Sequence, residues 1–442
     1  MRPESLIQAA RSDERNFDLA SLSPQASPGR KGECAGMTTA GMTTADMQNQ
    51  PRSLAGANIL QLVPALRDDA LGRTANDIAS MLLQSGARAI IAGDGGPLVG
   101  ELRALGGEWL PMPIETFNPF QIRSNIRALV NLIAAERVDI VHAHSGTGAW
   151  SAIRAIGQSP VYLVTSFGDR PGGNRWPRSA FNAAVAQGRR IIAPSSYVSL
   201  AMIERYRIAA DRIAVIPRAI DTATFSPVAV SAERIAALRR TWGVLPDMRL
   251  VVIAGRVAPW NGQIAIVDVA RLIVGGGERN IAFVFAGDDA GQSAYTKALR
   301  RRALIHDIDT LCRFPGHCPD LPAAFGAADV VVVPALEPPL TGRLVAEAQA
   351  MGRPVVAAAV GALPENLLAP PRMSDELRTG WLVRPGDAAQ FAHAVTAALA
   401  LDVTAHEALG ARARQFAEFA FSPQSVAAAV RGVYTSLLSR AP

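Results

Sequence analysis

RLVVIAGRVAPWNGQIAIVDVARLIVGGGERNIAFVFAG, residues 249–287, decides the fold. Its ends, RLVVIAG (249–255) and IAFVFAG (281–287), are continuous apolar runs without polar alternation, the pattern of strands buried on both faces. Between them a short loop, GRVAPWNGQ (255–263), leads into a helical stretch. Strand, helix and strand of this length form a parallel βαβ unit, because parallel neighbours need a crossover connection.

Outward from this unit the rhythm repeats. ADVVVVP (328–334) and RPVVAAA (353–359) continue it downstream. Upstream, NILQLV (58–63), RAIIAG (88–93), VDIVHAH (138–144), VYLVTS (161–166), RIIAPS (190–195) and RIAVIP (212–217) read as a first set of buried parallel strands. Helical spacing of apolar residues fills Thr74–Gln84 and Ile122–Glu136 between them. A segment with Pro227, a short polar helix and Pro246 separates the two sets, and a last helix is expected over Ser422–Arg440. The predicted class is α/β, with two Rossmann-like domains (53–222 and 223–421), a C-terminal helix (422–442) and a polar tail (1–52). The tail is rich in Ser, Pro, Gly and Thr, and AGMTTAGMTTADM (35–47) contains a small duplication.

Composition narrows the class. At 442 residues with 49% hydrophobic and 19% charged side chains, the chain has enough apolar material for two cores. No run approaches the roughly 18 apolar residues of a membrane span, and the first residues show no secretory pattern. Cys34, Cys312 and Cys318 are too few for a disulfide framework, so a reduced, cytoplasmic chain is the expectation. Of 44 basic residues only Lys31 and Lys297 are lysines. Scattered arginines against a net charge of +6 suit an anionic small ligand, or peripheral contact with an anionic membrane, rather than a nucleic-acid groove.

The loops after the strands carry the chemistry. GDGGPLVG (93–100) has Leu98 where a dinucleotide fingerprint needs its third glycine, and GDDAG (287–291) also fails that spacing. In GRVAPWNGQ, Arg256 and the backbone amides of a helix starting near Gly262 can hold a diphosphate together; the plainer reading is an ordinary strand–turn–helix with a solvent-facing arginine. In EPPLTGRLVAEAQAMGRPVVAAAVGALPEN (337–366), Arg343 and Glu347 stand four apart on one helix face. A carboxylate there accepts hydrogen bonds from vicinal hydroxyls such as those of ribose; the plainer reading is a surface ion pair. His142 and His144 share one face of a strand, with His142 expected to be buried and hydrogen-bonded and His144 nearer the ligand. The Asp307–Asp309 pair, and His306, Cys312, His317 and Cys318, imitate metal motifs without their spacing.

VIPRAIDTATFSP (215–227), GRVAPWNGQ (255–263) and GRLVAEAQAMGRPVVA (342–357), in this order, resemble the motifs of family 4 glycosyltransferases of the GT-B fold, in particular bacterial lipopolysaccharide-type members. VDIVHAHSGTGAWSA (138–152) and FSPQSVAAAVRGVY (421–434) extend the resemblance from Asn58 to the C-terminus. It implies two domains facing across a cleft, and metal-independent transfer of a sugar from a nucleotide-diphosphate donor, with retention, to a glycan or lipid-linked acceptor in cell-envelope assembly. It further implies that Arg256 binds the diphosphate, Glu347 grips the ribose and His144 reaches the donor sugar. Gly361 and Ala362 match the turn near the donor phosphates, and no separate cofactor is implied.

Four positions depart from the family pattern. Asn261 stands where the family's diphosphate lysine is usual, and Arg343 is the cation that could replace it. Nine residues, rather than seven, separate Glu337 from Glu347. RDDALGRT (67–74) lacks paired glycines, and Gly168-Asp169 replaces a His-Gly. Two alternatives stay open: a nucleotide-sugar epimerase on the same fold, and a non-catalytic binding protein.

Overall fold

The computed structural model describes residues 53–157, 159–168 and 178–439. The expected tail 1–52 and Asp169 lie outside them, and the described residues form one compact unit. Its first half carries β1 (Asn58–Ala65), β2 (Arg88–Asp94), β3 (Glu108–Pro111), β4 (Ile140–Ala143), β5 (Tyr162–Ser166), β6 (Arg190–Ala193) and β7 (Ile213–Val215). The second half carries β8 (Arg249–Ala254), β9 (Ile281–Ala286), β10 (Cys312–Gly316), β11 (Val330–Val333), β12 (Val355–Ala358) and β13 (Gly380–Val383). The strands form two parallel sheets, ordered β3-β2-β1-β4-β5-β6-β7 and β10-β9-β8-β11-β12-β13. Two Rossmann-like sheets are therefore present, as the buried runs required.

The strands missing from the sequence reading share a cause. β3, β10 and β13 all lie at sheet edges, and most of their residues are only partly buried. A strand paired on one side and half wet needs no continuous apolar run. The Val403–Phe421 helix was also unanticipated; its mixed sequence buries only Leu409, Gly410, Ala413, Ala417 and Phe421.

The last helix spans Pro423–Leu438, with the Ser422 hydroxyl accepting from the Ser425 amide as its cap. It does not end the second domain. Val426, Val430, Val433, Tyr434 and Leu437 join the buried cluster of Ile59, Val63, Leu82 and Ile140, so the chain returns to cover the first sheet. A core leucine such as Leu82 cut to alanine would cost about 2–5 kcal/mol.

Both sheets reverse strand order next to their first strand, between β1 and β4 and between β8 and β11. Loops leaving these strands at their carboxyl ends border a crevice, the place where open α/β sheets bind ligands. The two halves also touch directly. Ser195 Oγ donates to the Leu340 carbonyl at 2.9 Å. Glu365 Oε2 and Oε1 accept from the Ser196 and Tyr197 amides at 2.6 and 2.8 Å, capping the Ser196–Tyr206 helix from the other domain.

Candidate active site

On the second sheet, β8 ends at Ala254 and the chain runs on through Gly255 to Arg256. Arg256 is exposed, its Nε 4.0 Å from Asp288 Oδ1. Its backbone carbonyl accepts from Asn261 Nδ2 and from Gln263 Nε2, both at 2.8 Å. Asn261 thus shapes the loop through one hydrogen of its side-chain amide. Gly262 has φ +73°, and a Cβ there would lie 2.1 Å from the Pro334 carbonyl oxygen, so only glycine fits.

The helix start after Gly262 also differs from expectation. The amides of Asn261, Gly262 and Ala265 donate to neighbouring carbonyls, and the Ile264 amide donates to Tyr295 Oη. The anion cradle expected there is largely committed within the fold. The Leu336 and Glu337 amides both donate to the Trp260 carbonyl, at 2.9 and 3.0 Å, binding the loop after β11 to the loop after β8. Glu337 is exposed on that loop.

Arg343 opens the Arg343–Ala350 helix, whose Gly342 cap contributes no side chain. First-turn amides of a helix have no intrahelical acceptor, and the dipole there favours anions. Arg343 Nε donates to Glu347 Oε1 at 2.6 Å. Glu347 is 1% exposed while Arg343 remains 55% exposed. Burial raises the Glu347 carboxyl above the usual range against the opposing pull of Arg343. Its Oε2 is buried without a hydrogen-bond partner. Gly361 has φ +59° and packs on Pro339, and the Ala362 amide donates to the Pro339 carbonyl at 3.0 Å. Ala362 therefore ties the turn at Gly361 to the Pro338–Pro339 loop.

On the first sheet, β4 brings His142 and His144 to the same face, their ring centroids 4.0 Å apart. His142 is fully buried, as expected, with Nδ1 2.7 Å from Tyr434 Oη and Nε2 2.7 Å from Ser166 Oγ. His144, 5% exposed, has Nε2 3.0 Å from Gln61 Oε1. Gln61 Nε2 donates to the Ala75 carbonyl at 3.1 Å, so its oxygen faces the imidazole and His144 Nε2 carries the proton. Desolvation lowers the His144 pKa to about 4, so the neutral ring keeps a lone pair on Nδ1.

Two cavities lie in the crevice. One of about 610 Å³ is lined by His144, Glu115, Thr147, Ser166, Arg218 and Arg343 among others. Another of about 660 Å³ is lined by Asp68, Asp221, Arg343 and Glu347 among others. Arg343 belongs to both, joining His144 and Glu347 across the crevice. Arg256, Asn261, Gly361 and Ala362 line neither. Cys312 is a core residue whose thiol is pushed up to about 12 by burial.

Two family models match this architecture in chain order. Residues 71–224 match Glycosyltransferase Family 4, and residues 248–400 match Glycosyl transferases group 1. A D-inositol 3-phosphate glycosyltransferase of Xylanimonas cellulosilytica is 31% identical over 322 residues, covering 69% of this chain and 73% of that protein. The chain belongs to the family 4 glycosyltransferases. A second family 4 relative, the D-inositol 3-phosphate glycosyltransferase of Corynebacterium efficiens, is 33% identical, with 48% of this chain matched. The match spans about half (49%) of that relative's length. Among solved structures, Anabaena HepE in complex with UDP-glucose is similar in fold, with TM-score 0.66, 19% identity, 86% of this chain and 99% of that chain covered.

Within this family 4 chain, sequence reasoning missed Gln61, Ser166 and Tyr434. Gln61 had a signal: it is the one polar residue inside the apolar run ILQLV (59–63). Ser166 and Tyr434 had none, because their partner His142 is 24 and 292 residues away.

Proposed function

We propose that the chain transfers a sugar from a nucleotide-diphosphate donor, with retention at the anomeric carbon and without a metal, to a glycan or lipid-linked acceptor. The observation carrying this reading is Glu347: a carboxylate 1% exposed, held by Arg343 at 2.6 Å, with an unbonded Oε2, on a residue that lines the 660 Å³ cavity together with Arg343 and Asp221. A ribose hydroxyl supplies the missing donor. Arg343 and Arg256, both more than half exposed, then stand toward the diphosphate and stabilise the charge that develops as the nucleotide leaves. His144 accepts a hydrogen bond from the donor sugar through Nδ1.

The acceptor enters the cavity bordered by Glu115, Thr147 and Asn182. The two relatives are D-inositol 3-phosphate glycosyltransferases, which makes a cyclitol phosphate an acceptor to test beside cell-envelope glycans of the lipopolysaccharide type. Among the described residues no single helix is long and apolar enough to cross a membrane. Phe120 is 83% exposed at the start of the Pro119–Ala135 helix, which also carries Arg123 and Arg127, a surface suited to peripheral contact with an anionic leaflet at the cytoplasmic face.

Calorimetry with UDP, GDP and ADP, followed by product analysis with the matching sugar nucleotides and metal chelator present, tests the reading. Binding of one diphosphate and metal-independent sugar transfer with retained configuration are expected. Absence of diphosphate binding overturns the reading, and binding without turnover converts it to the non-catalytic alternative.

A further inference from the structure

His142 does not reach the crevice itself, yet both of its ring nitrogens are engaged. Tyr434 Oη, on the helix that returns from the second domain, lies 2.7 Å from Nδ1, and Ser166 Oγ lies 2.7 Å from Nε2. Tyr434 is 0% exposed, and among the described residues its hydroxyl has no second hydrogen-bond partner. A buried O–H left without an acceptor is unfavourable, and phenol is a stronger acid than an alkyl hydroxyl. Tyr434 therefore donates to His142 Nδ1. Burial lowers the His142 pKa well below its ordinary value, and a neutral imidazole has one N–H, so that hydrogen sits on Nε2 and points at Ser166 Oγ.

Ser166 ends β5 and lines both the large crevice cavity and the small apolar pocket behind it. Because its oxygen accepts from His142, its own proton is turned away from the histidine. We infer that Ser166 donates a hydrogen bond to an oxygen of the bound donor sugar, and that Tyr434, acting through His142, is the positioning residue that fixes this direction. The inference rests on the proposed contact of His144 with that sugar, since the His142 ring lies against His144, centroids 4.0 Å apart and tilted by 36°. The relay gives the last helix a second task beyond packing. It tells the crevice whether Pro423–Leu438 is seated.

The test compares binding of UDP and UDP-glucose to the full chain by calorimetry. Ser166→Ala should leave UDP affinity unchanged and weaken UDP-glucose about three- to tenfold, the effect of one neutral hydrogen bond. Tyr434→Phe should reproduce most of that loss, because Ser166 is then free to donate inward to Nε2. The double variant should be no worse than Ser166→Ala, since both act on one hydrogen bond. Ser166→Thr, which keeps the hydroxyl, should restore affinity. Leu437→Ala, on the same helix, should lower thermal stability without changing the UDP-glucose to UDP ratio; a matching loss there would mean that the helix acts only structurally. Additive losses, or a Tyr434→Phe protein with the wild-type ratio, overturn the inference. ¹⁵N-histidine NMR judges it independently of donor identity. His142 should be the Nε2–H tautomer in the wild type, and finding Nδ1–H refutes the relay. Failure of the wild type to bind either nucleotide excludes a uridine donor without touching the relay, which the tautomer then decides.

Discussion

The two halves of this chain share a strand order but put opposite chemistry at the same topological place. Where the first sheet reverses, between β1 and β4, the side chains are buried, neutral and mutually hydrogen-bonded: Gln61, His142, His144 and, from the far end of the chain, Tyr434. Where the second sheet reverses, between β8 and β11, Arg256 and Arg343 are largely exposed, and a single buried carboxylate, Glu347, stands behind them. The fold supplies a crevice twice. Burial decides what each crevice can hold. Charges kept at the wet side can meet a diphosphate, whereas a dry wall of neutral groups can orient hydroxyls but cannot stabilise an ion.

Breaking the charged side should have the largest effect. Glu347→Ala is expected to weaken nucleotide-diphosphate binding by about 2–3 kcal/mol, the worth of hydrogen bonds to a charged group, while thermal stability holds because a desolvated carboxylate has been removed. Calorimetry and a melting curve on the same sample check both halves. Wild-type affinity in that variant would move the ribose site elsewhere. Arg256→Ala should cost about 1.5–3 kcal/mol for the diphosphate and almost nothing for the free nucleoside. An equal loss for both ligands would take Arg256 away from the phosphates.

The neutral side should reveal itself through pH. The His144 pKa is lowered to about 4 in the folded chain and that of His142 lies well below its ordinary value, so the unfolded chain, near 6.5, takes up those protons first. Stability should be level above pH 6.5 and fall as pH drops toward 4, by at most about 1.4 kcal/mol per pH unit for each histidine. Urea unfolding between pH 7 and 4.5 measures the slope, and His144→Gln should remove one histidine's share. An unchanged slope would mean that His144 is not held neutral.

Two smaller effects sharpen the contrast at its seam. Glu365→Gln keeps one acceptor for the Ser196 and Tyr197 amides and loses the charge, so about 1 kcal/mol of the interdomain cap should go. Faster hydrogen exchange at those two amides is the readout, and unchanged exchange would show that the cap does not restrain the domains. Asn261→Lys should tighten diphosphate binding by less than about 1 kcal/mol at low salt, since Gln263 still bonds the Arg256 carbonyl. The gain should vanish as salt rises; weaker binding instead would mean that Arg343 already fills that space.

The sequence was most legible where physics is local. Buried strands such as β8 and β9 declared themselves by unbroken apolar runs, and Arg343 and Glu347 by a spacing of four on one helix. Edge strands β3 and β10 did not, because pairing holds them without a continuous apolar run. The loop amides misled for a related reason. The sequence shows that an amide exists at Ile264 or Ala362, but not that Tyr295 or Pro339 has already taken it.

By itself, then, the sequence determined two parallel α/β units, the family, and which residue types stand at the ends of which strands, since hydrophobic period and motif spacing are properties of neighbouring residues. Only the tertiary structure decided which of those side chains are dry, which are paired, and that a tyrosine near residue 434 governs a histidine near residue 142. Protonation state and hydrogen-bond direction depend on burial and on partners brought from far along the chain, and those exist only once the last helix has folded back onto the first sheet.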